Sequence, residues 1–133
     1  MNIELLTSVK HAILTEPASF YMEDWFSLSE LAPCGTAACI AGHGFKIQFC
    51  EPGATMAEAR HQYQDEEGDM SGRVIDYVMA DAFDINQAQM SKLCHLRHWP
   101  EQFRDRYLFS KTPEERADVA ADRINHFIKT GGE

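Results

Sequence analysis

Two thiols and an imidazole, Cys34, Cys39 and His43, fall within the uncharged run Pro33-Cys-Gly-Thr-Ala-Ala-Cys-Ile-Ala-Gly-His-Gly44. If Thr36 caps a helix, Cys34 stands just ahead of it and Cys39 in its first turn, where unpaired backbone amides and the helix dipole favour an anion. A thiol so placed acquires a lowered pKa. His43 follows Cys39 by one helical turn, so the two side chains share a face and are expected to pair as thiolate and imidazolium. Cys34, Cys39 and His43 are therefore the candidate catalytic residues for redox or hydrolytic thiol chemistry. The competing reading makes each cysteine a small buried apolar filler and gives His43 a backbone or carboxylate partner.

A second constellation is Cys94-His95-Leu96-Arg97-His98. Thiolate and imidazole ligands suit Zn²⁺, which makes Cys94, His95 and His98 candidate metal ligands, with a fourth required from elsewhere such as Cys39, His43 or a carboxylate. The alternative is a solvated histidine pair at a helix C-terminus. The acidic turn 65–69 alternates Asp65, Glu67 and Asp69 like the start of a calcium loop, but Met70 stands where that loop needs glycine and Asp76 where it needs glutamate. A solvated charge run is the better reading. Gly42-x-Gly44 lies within a helical run and not after a strand, so it is no phosphate loop, and no serine nucleophile elbow is present.

Taken together, Glu16-Pro17 with Phe20, Met22 and Trp25, the Cys34-Gly-Thr-Ala-Ala-Cys-Ile-Ala-Gly42 motif, Trp99-Pro100 with Phe103, and Ala121-Asp-Arg-Ile-Asn-His-Phe127 cover most of the chain. In these features it resembles a family of small uncharacterised bacterial proteins. That resemblance implies a compact domain and carries over no catalytic residue, and the family often has tryptophan where His43 stands. The Cys-x-x-x-His spacing also resembles the redox motif of the helical alkylhydroperoxidase D family. There a Cys-x-x-Cys precedes the histidine, whereas here four residues separate Cys34 from Cys39.

Around these residues the chain has the size and composition of one domain, with 133 residues, 44% of them hydrophobic. Its 21 acidic against 12 basic residues give a formal charge of −9. That balance repels phosphate backbones and anionic lipid, so neither a nucleic-acid nor a membrane partner is expected. The longest uncharged stretch, Leu31 to Phe45, is too short for a span and is broken by Pro, Gly and Thr, and no basic leader precedes an apolar run. A cytoplasmic protein with reduced cysteines follows.

Helical periodicity dominates and no strand signature is found, which predicts an all-α fold. Helices are expected over Asn2 to Leu14, from Thr36 to Ile47 or Phe49, from a Thr55–Glu58 capping box to Tyr63, over Ser71 to Phe83, over Asn86 to Leu96, and briefly from Pro100. The last helix opens on Thr112-Pro113-Glu114-Glu115, where cap, first-turn proline and capping-box glutamate coincide, and it ends at Gly131-Gly132. The expected architecture is a single-domain bundle of five to seven helices around a central apolar helix at 36–49. Segment 18–33 is expected to be a connection pinned by its aromatics. Gly42 in a helix interior costs about 1 kcal/mol relative to alanine, so a close packing partner is expected from Trp25, Phe26 or Trp99. With catalytic groups sparse, a non-catalytic binding or protein-interaction module, with a basic partner or a second copy, is the leading functional expectation.

Overall fold

Strong local signals fix most of the helices. The structure, a computed structural model, describes residues 1–67 and 72–133. Asn2 caps α1 (Ile3–Thr15), its side chain accepting from the Leu5 amide. Ahead of α3 (Met56–Glu67) half of the expected box forms, the Thr55 hydroxyl accepting from Glu58 N–H and donating to the Glu58 carboxylate, whereas Asn86 with Gln89 forms a full capping box at α5 (Gln87–Cys94). The Thr112 hydroxyl accepts from Glu115 N–H at 3.1 Å and Pro113 takes the first position of α7 (Pro113–Lys129). Such caps satisfy amides that would otherwise lack partners, about 1 kcal/mol each. The remaining helices are α2 (Ile40–Phe49), α4 (Gly72–Phe83) and α6 (Glu101–Phe109). The acidic turn expected over 65–69 is corrected in its first part, since α3 continues past the expected end at Tyr63 and residues 65–67 are its last, while 68 and 69 lie outside the described residues.

The mostly helical single domain is as expected, with seven α-helices among the described residues. One expectation is corrected. Thr36–Ala38 is not the first turn of the central helix but strand β2, paired antiparallel with β1 (Phe26–Leu28). Its three residues are all buried, at 2%, 1% and 0% exposure. Buried amides and carbonyls must be paired. Pairing across the hairpin does this, helped by a bridge from Ala38 to Phe20 and a bond from Tyr21 N–H to the Ala38 carbonyl at 3.0 Å. Small side chains at Ala37 and Ala38 allow that approach. Gly35, at φ +75°, sits in the left-handed conformation that closes the loop beside the Ser29 amide.

Helix α2 is still the centre, with Ile40 through Phe45 all buried. α1 packs along its side, and α7 packs on α1. Leu5, Leu6, Val9 and Ile13 face inward from α1, and Ala117, Ala120, Ile124 and Phe127 face inward from α7. Phe26, Phe45 and Tyr63 form an aromatic cluster with centroids 5.2–6.1 Å apart. Edge-on aromatic pairs contribute about 0.5–1.5 kcal/mol beyond their buried area, so this cluster clamps the hairpin to α2 and α3. The connection 20–26 is pinned as expected through buried Phe20, Met22 and Phe26, while Met22 N–H donates to the Tyr107 hydroxyl at 2.9 Å. Leu28 and Leu31 depart from that expectation and point to solvent.

Candidate functional site

The end of α1, the hairpin loop and α2 enclose a cavity of about 530 Å³, lined by Glu16, Ser19, Cys34, His43 and Lys46 among others. Two of the three expected catalytic residues, Cys34 and His43, thus meet in one cavity. Cys39 does not join them there. Because α2 begins at Ile40, Cys39 is its N-cap residue and Cys34 belongs to the hairpin loop rather than to the approach of a helix.

His43 is 3% exposed, and its Nδ1–H donates to the Cys39 carbonyl at 3.0 Å, not to the Cys39 sulfur. A carbonyl only accepts, so this bond fixes the proton on Nδ1 and leaves Nε2 as a lone-pair acceptor. Burial pushes the His43 pKa down to about 4, the Cys39 carbonyl working weakly against that shift, so the ring is neutral at neutral pH. Cys39 is pushed up to about 12 by burial, even though the Gly42 and Ala41 amides at the start of α2 favour its thiolate. Desolvation therefore outweighs the helix terminus. Both members of the expected ion pair are held in their uncharged forms. Cys34 is half-buried, and its thiol donates to the Thr36 carbonyl at 3.6 Å. On the cavity wall Ser19 donates to the Glu16 carboxylate.

The three expected zinc ligands are directed to three different partners. Cys94 is buried, with its Sγ 3.7 Å from the Met90 sulfur and its pKa raised by desolvation. His95 Nε2–H donates to Asp76 Oδ2 at 3.3 Å, with the His95 ring edge-on to Trp25, and His98 Nδ1 lies 2.5 Å from the Ser91 hydroxyl. Helix α5 ends at Cys94, so the chain turns between these residues and they do not share one helical face. Among the described residues no three His, Cys, Asp or Glu side chains gather closely enough to hold a metal ion.

A larger feature was not evident from the sequence. Two clefts of about 700 and 720 Å³ flank a ridge made of Tyr21, Glu23, Asp24 and Arg116, which line both. The Arg116 guanidinium lies over the Tyr21 ring, 5.6 Å from its centre. Leu28, 75% exposed, and Leu31, 67% exposed, border one cleft, and Leu108, 62% exposed, borders the other. The only sequence signal was the aromatic and acidic run 20–26. Its partner Arg116 lies ninety-five residues from Tyr21 and nothing local connects them.

Among the described residues no helix is long and apolar enough to cross a membrane. No family model matches the chain, and no curated protein or solved structure does so either, so the functional reading rests on these sites alone.

Proposed function

We propose that this protein is a non-catalytic binding module whose recognition face is the pair of clefts around the Tyr21–Arg116 ridge. The observation that carries the reading is the grouping of exposed leucines there: Leu28, Leu31 and Leu108 all border clefts that also present the exposed carboxylates Glu23 and Asp24. Single exposed leucines need no explanation, but several around adjoining concavities form the apolar anchor points of an interface. In the cleft bordered by Leu28 and Leu31, Glu23 and Asp24 outnumber Arg116 and set the sign of the partner, while in the other Arg97 and Arg116 balance them. A second copy of a chain carrying −9 would be repelled, so the partner is a polypeptide segment presenting basic and apolar side chains. Thiol chemistry at Cys34 and Cys39 is the lesser reading, because burial holds Cys39 and His43 uncharged.

Fluorescence anisotropy with a labelled peptide of alternating Lys and Leu tests the proposal. The peptide binds, more weakly as salt rises, and the double variant E23K/D24K weakens binding at least about tenfold, which equals about 1.4 kcal/mol. Equal binding of a peptide with Glu in place of Lys, or unchanged binding by L28S/L31S, overturns it.

A further inference from the structure

Arg116, on α7, lines both clefts of the recognition face. Its guanidinium lies over the Tyr21 ring, a contact that orients the charge without neutralising it. Glu23 and Asp24 line the same clefts. Even so, among the described residues no carboxylate comes within ion-pair distance of this guanidinium and no oxygen accepts a hydrogen bond from it. Its Nε is buried without a partner, whereas Nη1 and Nη2 stay open to solvent on a half-buried side chain. Arginine charges that are drawn into a protein are ordinarily paired, so one left unpaired between two concavities marks a place for an outside anion.

Tyr107 adds a second donor to the cleft that Leu108 borders. Its hydroxyl accepts from Met22 N–H at 2.9 Å, burial pushes its pKa up to about 12, and the proton it keeps has no acceptor among the described residues. Arg97, exposed, lines that cleft too, so an anion is repelled less there than in the more acidic cleft of Leu28 and Leu31. The planar fork of an arginine matches a carboxylate through two parallel N–H bonds. A basic and apolar segment carries no carboxylate on its side chains, so the one it can offer is its terminus. We propose that Arg116 binds the C-terminal carboxylate of the partner segment, with the Tyr107 hydroxyl as a second donor, a proposal that rests on the recognition face assigned above. The partner then lies with its basic and apolar residues in the cleft of Leu28 and Leu31 and ends at the ridge, a free chain end and not an internal stretch.

Fluorescence anisotropy with the Lys-Leu peptide, labelled at its N-terminus, compares a free with an amidated C-terminus. Amidation makes the peptide more positive, so general attraction to a chain carrying −9 favours the amide. A carboxylate held by Arg116 reverses that order, the free acid binding at least about tenfold tighter, and R116Q removes the preference. Equal or tighter binding of the amide, a preference that survives in R116Q, or an amidated peptide with one internal Glu binding as tightly as the free acid overturns the proposal. When both forms bind the parent protein alike, the recognition face stands and only its contact with the chain end falls; when neither binds, both fall. Acid against amide on the parent protein decides the matter should R116Q fail to fold.

Discussion

Gly42 of the central helix lies against the main-chain carbonyl oxygen of Trp25, so close that a Cβ on Gly42 would overlap that oxygen and the Cβ of Ala38. The helix-interior glycine thus has the packing partner expected from its cost, and it is backbone rather than an indole ring. Backbone cannot swing aside as a flexible side chain can, so relief requires moving the 20–26 segment or α2.

Gly42→Ala should therefore destabilise the fold despite the better helix propensity of alanine. Overpacking costs about 1–3 kcal/mol, against a propensity gain of about 1 kcal/mol, so a net loss of about 1–2 kcal/mol is expected. Gly53→Ala serves as a control, since nothing lies within 4 Å of its Cβ position and its only penalty is the left-handed φ of +85°. Urea unfolding of the two variants checks this. A Gly42→Ala protein as stable as the parent would mean that α2 and the Trp25 backbone are not in contact.

The thiols should separate by burial. Cys39 and Cys94 are buried and both are pushed toward the neutral thiol by desolvation, whereas Cys34 is half-buried at a cavity wall. Thiolates are the reactive species. A disulfide reagent applied to the folded protein near neutral pH should modify Cys34 well before Cys39 or Cys94, which become reactive only on unfolding. Peptide mapping after partial labelling reads the order, and early modification of Cys39 would restore the thiolate that burial argues against.

The helices were legible because their ends are written locally. Thr112-Pro113 with Glu115, Thr55 with Glu58, and Asn2 each satisfy amides within a few residues, so the signal needs no tertiary context. The hairpin was not legible, because three-residue strands are too short for alternation to show and Thr36-Ala37-Ala38 reads equally well as a helix start. That single misreading moved Cys39 from the first turn to the N-cap position. Of the cavity, the Lys46 and His43 pair could be read from its one-turn spacing on a helix. The approach of Glu16 and Cys34 could not, since it depends on how α1 and the hairpin fold back over α2. The clefts around Tyr21 and Arg116 were hidden for the same reason.

His43 should make stability depend on pH in a definite direction. Its folded pKa is about 4 against an ordinary 6.5, with burial the chief cause, the Lys46 charge adding to it and the Glu16 charge opposing. Between those values the unfolded chain binds a proton that the folded chain does not, so ν for the unfolded state exceeds ν for the native state and stability rises with pH. The contribution is fully present above pH 6.5 and is lost progressively as pH falls to about 4, where folded His43 also protonates. At about 1.4 kcal/mol per pKa unit, the effect is on the order of 3 kcal/mol at most. Asp84 and Glu133, whose pKa values are lowered by the N-terminal ammonium and by Lys92, add losses of the same sign at lower pH. Comparison with His43→Phe removes those shared terms, so urea unfolding of parent and variant across this window should give a steeper loss for the parent. Parallel slopes would show that His43 titrates as freely in the folded chain as in the unfolded one, and that burial does not hold the ring neutral.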